Sequence, residues 1–192
     1  SSMQIDDPER GFSFKQNGPL DMRMDTAKGL SAREYLAGVS EDTLRSVLAA
    51  NADEPMAAEI ARAIWLRRSS LATTRDLAEA ICSVFPQLAF KDPAMTRTLR
   101  RCFQAIRIEV NGEFAALDAL LASLPRFLKP GARIAILAFH SGEDRRVEAS
   151  FAAGLERGLY SSVCPEVIRP GHEERYNNPR SSSAKLRWAV RA

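Results

Sequence analysis

Cysteine, histidine and long apolar runs are all scarce in these 192 residues. The three cysteines, Cys82, Cys102 and Cys164, form no Cys-x-x-Cys pair. Scattered thiols in odd number argue against a disulfide framework and fit a reducing, cytoplasmic setting. His140 and His172 stand far apart, so although Glu143 and Asp144 follow His140, no second histidine lies at ligand spacing and no metal is expected. No apolar stretch approaches the roughly 20 residues that span a bilayer, and no secretory signal is present, so no membrane partner is expected. An excess of charge is lacking too: 27 Lys and Arg against 24 Asp and Glu leave a net +3. That balance says little about partners, whereas the clustering says more. Basic residues gather at Arg97, Arg100, Arg101 and Arg107, at Arg145 and Arg146, and at Arg175, Arg180, Lys185, Arg187 and Arg191. Each cluster reads as solvated surface or as a phosphate-facing stripe.

What is present is a chain with 45% hydrophobic residues, enough to bury a core. Its opening run, through Gly11, Gly18, Pro19 and Asp25, has neither helical nor strand period and reads as a loop held for a purpose. Ser31-Ala32-Arg33-Glu34 has capping-box spacing and predicts a short helix. Leu44, Val47 and Leu48 share a face over Glu41–Ala50. Pro55 suits a first helical residue, with Met56, Ile60, Ala63 and Ile64 at helical spacing beyond it. Thr73 or Thr74 caps a further helix carrying Leu77, Ile81 and Val84. No repeat or low-complexity segment interrupts this compact helical subdomain.

From Arg97 the apolar residues Phe103, Ile106, Val110, Phe114, Leu117, Leu121, Leu124 and Leu128 recur every three or four positions, predicting one long amphipathic helix or two with a break near Gly112. Lys129-Pro130-Gly131 stops it. Arg133 to Phe139 then reads as a strand buried on both faces. His140-Ser141-Gly142-Glu143-Asp144-Arg145 follows that strand, where open α/β sheets place ligand-binding groups. A helix over 143–153, a strand near 159–163 and a terminal strand over 185–190, with Leu186, Trp188 and Val190 alternating, complete half of a doubly wound sheet. The missing inner strands are expected upstream.

These residues carry a resemblance. Arg10-Gly11-Phe12-Ser13-Phe14, Gly18-Pro19-Leu20-Asp21-Met22-Arg23-Met24-Asp25, Phe103-Gln104-Ala105-Ile106-Arg107-Ile108, Phe139-His140-Ser141 with Glu143-Asp144-Arg145, and Asn178-Pro179-Arg180-Ser181 with Ser183-Ala184-Lys185-Leu186-Arg187 together resemble the carboxy-terminal two thirds of the bacterial small-subunit (16S) ribosomal RNA cytosine-N4 methyltransferase family, also called MraW. Five motifs in register are a specific signal. The resemblance implies an α/β fold: a partial Rossmann-like class I methyltransferase sheet with an inserted all-helical subdomain. Residues 1–29 would form a cleft loop, 30–96 the helical insertion and 97–192 the carboxy-terminal half of the core. It further implies the cofactor S-adenosyl-L-methionine, with Gln4 matching a cofactor-contacting glutamine and the glycine-rich cofactor loop lying before residue 1. Ser1 and Ser2 as residues foreign to the gene, or Met3 as the start of a shortened one, remain open alternatives.

The implied reaction transfers a methyl from a sulfonium to the cytosine amine, an in-line displacement that requires alignment and acceptors around the amine N–H groups. The base must also leave its stack. His140 and Ser141 are the candidate catalytic residues, the alternative being a helix cap made by Ser141 with His140 structural. Phe12 and Phe14 are candidates for stacking, or anchors of the loop to the core. Asp21, Arg23 and Asp25 would organise the loop beside the substrate, and Arg107, Arg145, Asn178, Arg180 and Lys185 would contact RNA. The sequence departs from the family pattern at Gly142, where Leu is usual, at Ser182, where a second Arg is usual, and at Asp92, where His is common. Residues 95–102 also contain an apparent insertion. Besides an active enzyme of the small ribosomal subunit, two readings stand: a cofactor-less RNA-binding module, and an interaction protein that forms a homodimer through its helical subdomain.

Overall fold

Residues 5–192 are described by a computed structural model, so Gln4 lies outside the described residues. The chain divides into two compact units, Ser1–Glu113 and Phe114–Ala192. Among the described residues no helix is long and apolar enough to cross a membrane.

The first unit is helical. Its elements are α1 (Ala32–Gly38), α2 (Glu41–Ala52), α3 (Ala57–Arg67), α4 (Thr74–Cys82) and α5 (Pro93–Asn111). Both expected caps form. The Ser31 Oγ accepts from Glu34 N while the Glu34 carboxylate accepts from Ser31 N, and Thr73, not Thr74, makes the same reciprocal box with Asp76. Helix α3 begins at Ala57 and not at Pro55, because the Glu54 carboxylate accepts from Met56 N and turns the chain before the helix starts.

Helix α5 begins at Pro93, earlier than its apolar period suggests. Asp92 accepts from Ala94 N at 2.7 Å and Pro93 occupies the first turn, so the residue that departs from the family pattern is a working cap. Met95 and Leu99 are buried on the same face as Cys102, Phe103 and Ile106, which shows the apparent insertion to be continuous helix. Residues 97–111, assigned by sequence to the second half, therefore join the core of the first unit, beside Leu44, Leu48, Ile60, Ile64, Leu77 and Ile81. Gly112 ends α5 in the left-handed conformation, and the long amphipathic pattern is two helices.

The second unit contains all but the first residue of α6 (Glu113–Phe127), then β1 (Arg133–Ala138), α7 (Ser141–Glu156), β2 (Tyr160–Val163), α8 (His172–Asn177), a 3-10 turn at Pro179–Ser183 and β3 (Lys185–Arg191). The strand order is β1-β3-β2, and both pairings are antiparallel. β1 and β2 therefore run parallel to each other, joined by the α7 crossover, with β3 inserted between them. The sequence leaves the direction of the last strand open, and the structure makes it antiparallel to both neighbours. The last strand fills the gap that the crossover leaves, and it enters from the opposite end.

Helix α7 lies on one face of this sheet, where Val147 and Phe151 meet Ile134, Tyr160, Ala189 and Leu121. The expectation that β1 is buried on both faces is also corrected. Ile134 and Ala138 are buried, whereas Ala135 and Leu137 point to the other face and are exposed. Register puts Ala135 opposite Trp188 and Leu137 opposite Leu186, so the alternating Leu186, Trp188 and Val190 share that open face. The face under α7 instead receives Arg187 and Ala189.

Candidate functional site

Two irregular segments carry most of the sequence-predicted site residues, one in each unit. In the first unit, the loop from Arg10 to Ser31 is tied down along its length. Gly11 adopts φ 68°, and a Cβ there would lie 2.1 Å from the Pro19 carbonyl oxygen, so only glycine fits. Leu20 N donates to Ala72 O, Thr74 N to Gly18 O, and Ala32 N to Asp21 O, stitching the loop to the helices on either side. The Arg10 guanidinium donates to the carbonyls of Arg23 and Met24, both at 2.8 Å.

Asp21 accepts from the backbone and guanidinium of Arg23, with the Nη2 contact at 2.7 Å. The hydrogen bond from the Arg23 side chain holds the Asp21 carboxyl below the usual carboxylate range, against a smaller opposing effect of burial. Arg23 also donates to Gly29 O, while Asp25 accepts from Ala27 N and pairs with Lys28. Asp21, Arg23 and Asp25 thus spend their polar atoms on bonds within this loop.

Sequence reasoning missed the residue that clamps the loop. Met22 is fully buried with φ 60°, a conformation costly for a side chain of its size. Asn111, the last residue of α5, donates to Met22 O and accepts from Met24 N, both at 2.7 Å. Its position beside Gly112 at a helix end was the only local signal. Phe12 is buried in the core beneath the Arg10 guanidinium, which leaves it no face for a base. Phe14 is half-buried and packs edge-on against Phe103 and Phe90 at centroid distances of 5.5 and 6.3 Å. Arg107 aims both arms of its fork at Glu113, at 2.8 and 3.0 Å, and does not project to solvent as a phosphate contact would.

In the second unit the site candidate follows β1. His140, not Ser141, is the N-cap of α7: its Nδ1 accepts from Glu143 N at 3.3 Å. Glu143 returns a carboxylate oxygen to Phe139 N at 2.9 Å, and its other oxygen lies 3.5 Å from His140 Nε2. The cap role considered for Ser141 is thereby corrected. An imidazole nitrogen replaces the hydroxyl as acceptor, and Ser141 becomes the first helical residue, with its side chain exposed.

Gly142 has a steric reason: a Cβ there would sit 2.6 Å from Phe114 Cζ. The Phe114 ring lies 5.8 Å from His140, and the Arg146 guanidinium covers it at 4.1 Å while pairing with Asp118 at 2.6 Å. Asp144 is buried and accepts from Arg187 at 2.7 and 3.3 Å, and Arg187 also reaches Glu148 at 2.9 Å. The Asp144 hydrogen bond pushes the Arg187 guanidinium above its ordinary value. Arg146 and Arg187 are therefore structural, and so is Arg191, which donates to the carbonyls of Pro125 and Leu159.

The remaining candidates converge through topology. β3 runs antiparallel to β1, so Lys185 at its start pairs with Ala138 at the end of β1. The segment leading into β3 is thus delivered to the end of the sheet that bears His140, Ser141 and Arg145. Asn178 closes α8, its N–H bonding Glu174 O, and its carbonyl opens the turn by accepting from Ser181 N. Ser182, the second departure from the family pattern, donates to Pro179 O at 2.7 Å and closes the same turn. Arg145 and Arg180 are exposed and Lys185 is half-buried.

The family model described as the MraW methylase family matches residues 1–192. The chain is 48% identical to the ribosomal RNA small subunit methyltransferase H 1 of Lachnoclostridium phytofermentans, covering 100% of this chain and 54% of that protein. It is likewise 48% identical to methyltransferase H 2 of Alkaliphilus metalliredigens, covering 100% of this chain and 56% of that protein. It is 41% identical to methyltransferase H of Chlamydia trachomatis over 97% of this chain and 63% of that protein. The chain spans about half the length of the first two of these relatives, less than the two thirds read from its motifs. Motifs held on a well-satisfied loop, a strand-end turn and a capped entry to β3, matched from the first residue to the last, establish that this chain belongs to the MraW methylase family.

Proposed function

We propose that the chain forms part of an S-adenosylmethionine-dependent enzyme that methylates the N4 amine of a cytidine in small-subunit (16S) ribosomal RNA, with β1, β3, β2 and α7 as one edge of a Rossmann-like sheet. The observation that carries this reading is the family match over residues 1–192. The names of the relatives support the RNA, and the βαβ crossover with polar side chains beyond β1 supports the fold, since open α/β sheets hold ligands at strand carboxyl ends.

Two hollows bear on the cofactor, whose part when bound is to supply the sulfonium methyl. One of about 180 Å³ beside Asp6, Asp7, Ser13 and Lys15 is smaller than the roughly 300–1,000 Å³ of small-molecule sites. The other, about 470 Å³ on the open sheet face by Arg133, Ser162 and Trp188, offers no carboxylate for a ribose diol or an ammonium. Neither fits S-adenosylmethionine by itself, and the proposed contact Gln4 lies outside the described residues.

This chain's own residues act on the RNA. The cytosine amine is a poor nucleophile because its lone pair is delocalised into the ring, and an acceptor at its N–H draws that pair out. The exposed Ser141 hydroxyl is proposed for this contact, with His140 and Glu143 positioning it through the cap they build. Arg145, Asn178, Arg180 and Lys185 are proposed to hold phosphates around an extruded base. Asp21, Arg23 and Asp25 keep the rim of the first unit in shape.

The test is methyl transfer to small-subunit RNA by a protein of full family length that carries this chain, read by mass spectrometry of the nucleosides, for wild type and Ser141→Ala. N4-methylcytidine is expected from wild type, with a loss of about 100-fold in the variant at unchanged RNA binding, the scale of removing one well-placed hydrogen-bonding group. A protein of full family length that transfers no methyl to this RNA overturns the reading.

A further inference from the structure

We propose that the cleft between Phe14 and α4 is a subsite for one nucleotide of single-stranded RNA, outside the reacting position. The inference rests on the RNA reading above and adds a place where the strand is held. The cleft has a volume of about 260 Å³ and lies wholly within the first unit. Its working residues are Phe14, Lys15, Asn17, Arg75, Glu79 and Phe90.

Each supplies one part of what a nucleotide needs. Phe14 is anchored edge-on to the buried Phe103, and Phe90, 49% exposed, stands against it at 77°, so aromatic surface borders the cleft and faces solvent. Aromatic walls of this kind accept any base through its π face. Asn17 is fixed because its Oδ1 accepts from Arg75 N at 3.2 Å, which leaves the two amide N–H groups as donors. The Glu79 carboxylate accepts from an exocyclic amine, favouring cytosine, adenine or guanine over uracil. The exposed Lys15 and Arg75 suit the phosphate. A bare anion would meet Glu79 and two rings, and an acidic peptide has no flat ring for the wall. A nucleotide matches ring, amine and phosphate together.

The experiment measures binding of the 192-residue chain to fluorescent oligo(A), oligo(C) and oligo(U) by anisotropy across a salt series. Arg75→Ala and Phe90→Ala both replace exposed side chains, and circular dichroism checks that each variant folds. Each is expected to weaken oligo(A) and oligo(C) binding by about 5- to 100-fold, the range for losing one base stack or phosphate contact. Arg75→Ala should also lower the salt slope by about one. Arg45→Ala on α2 removes the same charge elsewhere and should leave binding unchanged. Wild-type affinity in both cleft variants overturns the subsite while leaving the RNA reading intact. Absence of RNA binding by wild type overturns both. Competition by free AMP or CMP as effective as by the strand reassigns the cleft to a free nucleotide and overturns the strand subsite.

Discussion

The loop of residues 10–31 and the turn of residues 139–146 are both rich in charge and poor in regular structure, yet they use their polar atoms in opposite ways. In the loop, Asp21, Arg23, Asp25 and Arg10 bond to one another or to nearby backbone, and Asn111 clamps the result. In the turn, His140, Glu143 and Asp144 make structure, while the Ser141 side chain is exposed. A charged motif can therefore be spent on shape or leave a hydroxyl at the surface, and the distinction lies in where its hydrogen bonds go.

The strongest way to break this comparison is at Asp144. Arg187→Met would strand its buried carboxylate and is expected to cost about 3–5 kcal/mol, read by urea unfolding with the neighbouring Trp188 as the fluorescent probe. A loss under about 1 kcal/mol would mean that the turn does not depend on this pair. Next comes the loop clamp. Asn111→Ala removes bonds to Met22 O and Met24 N and should cost about 1–3 kcal/mol, with faster amide exchange at Met24. Unchanged exchange there would show that the loop holds itself.

Gly142→Leu tests the departure from the family pattern. The new side chain meets the Phe114 ring, so a cost of about 1–3 kcal/mol is expected, largely recovered in the Gly142→Leu/Phe114→Ala double variant. Failure of the second change to rescue the first would move the clash away from Phe114. The smallest effect concerns pH. The Asp21 carboxyl is held low chiefly by its hydrogen bond from Arg23. Its contribution is therefore complete above the unfolded carboxylate value near 4 and is lost as pH falls through the lower folded value. Glu54 has the opposite sign, because burial pushes its carboxyl up and stability declines as pH rises through that raised value. Asp21→Asn should flatten the acid limb of the urea-midpoint profile, and an unaltered limb would show that this pair contributes nothing to it.

Much of the fold is legible in the sequence because local signals set it. The caps at Ser31 and Thr73, the break at Gly112 and the strands over 133–138 and 185–191 follow from hydroxyl-to-amide spacing, glycine permissiveness and apolar period. The cap at His140 is not legible in this way, because an imidazole is an unusual acceptor at that position. The sharing of α5 with the first core also escapes, since an amphipathic period says that a face is buried and not against what. The same limit applies to Arg187. A period-2 strand names two faces, and its apolar residues marked the wrong one, because an arginine is admitted under α7 by Asp144 and Glu148, each from a distant part of the chain.

The sequence by itself determined the family and most of the elements in their order, α8 and the turn before β3 excepted, because motif identity and short-range hydrogen bonding are written within a few residues. Only the tertiary structure decided that β3 inserts antiparallel between β1 and β2, that Phe12 and Arg107 face inward, and that Lys185 meets the end of β1. The physical reason is that burial and partner choice depend on residues tens of positions apart. Their contacts are made only when the chain has closed on itself.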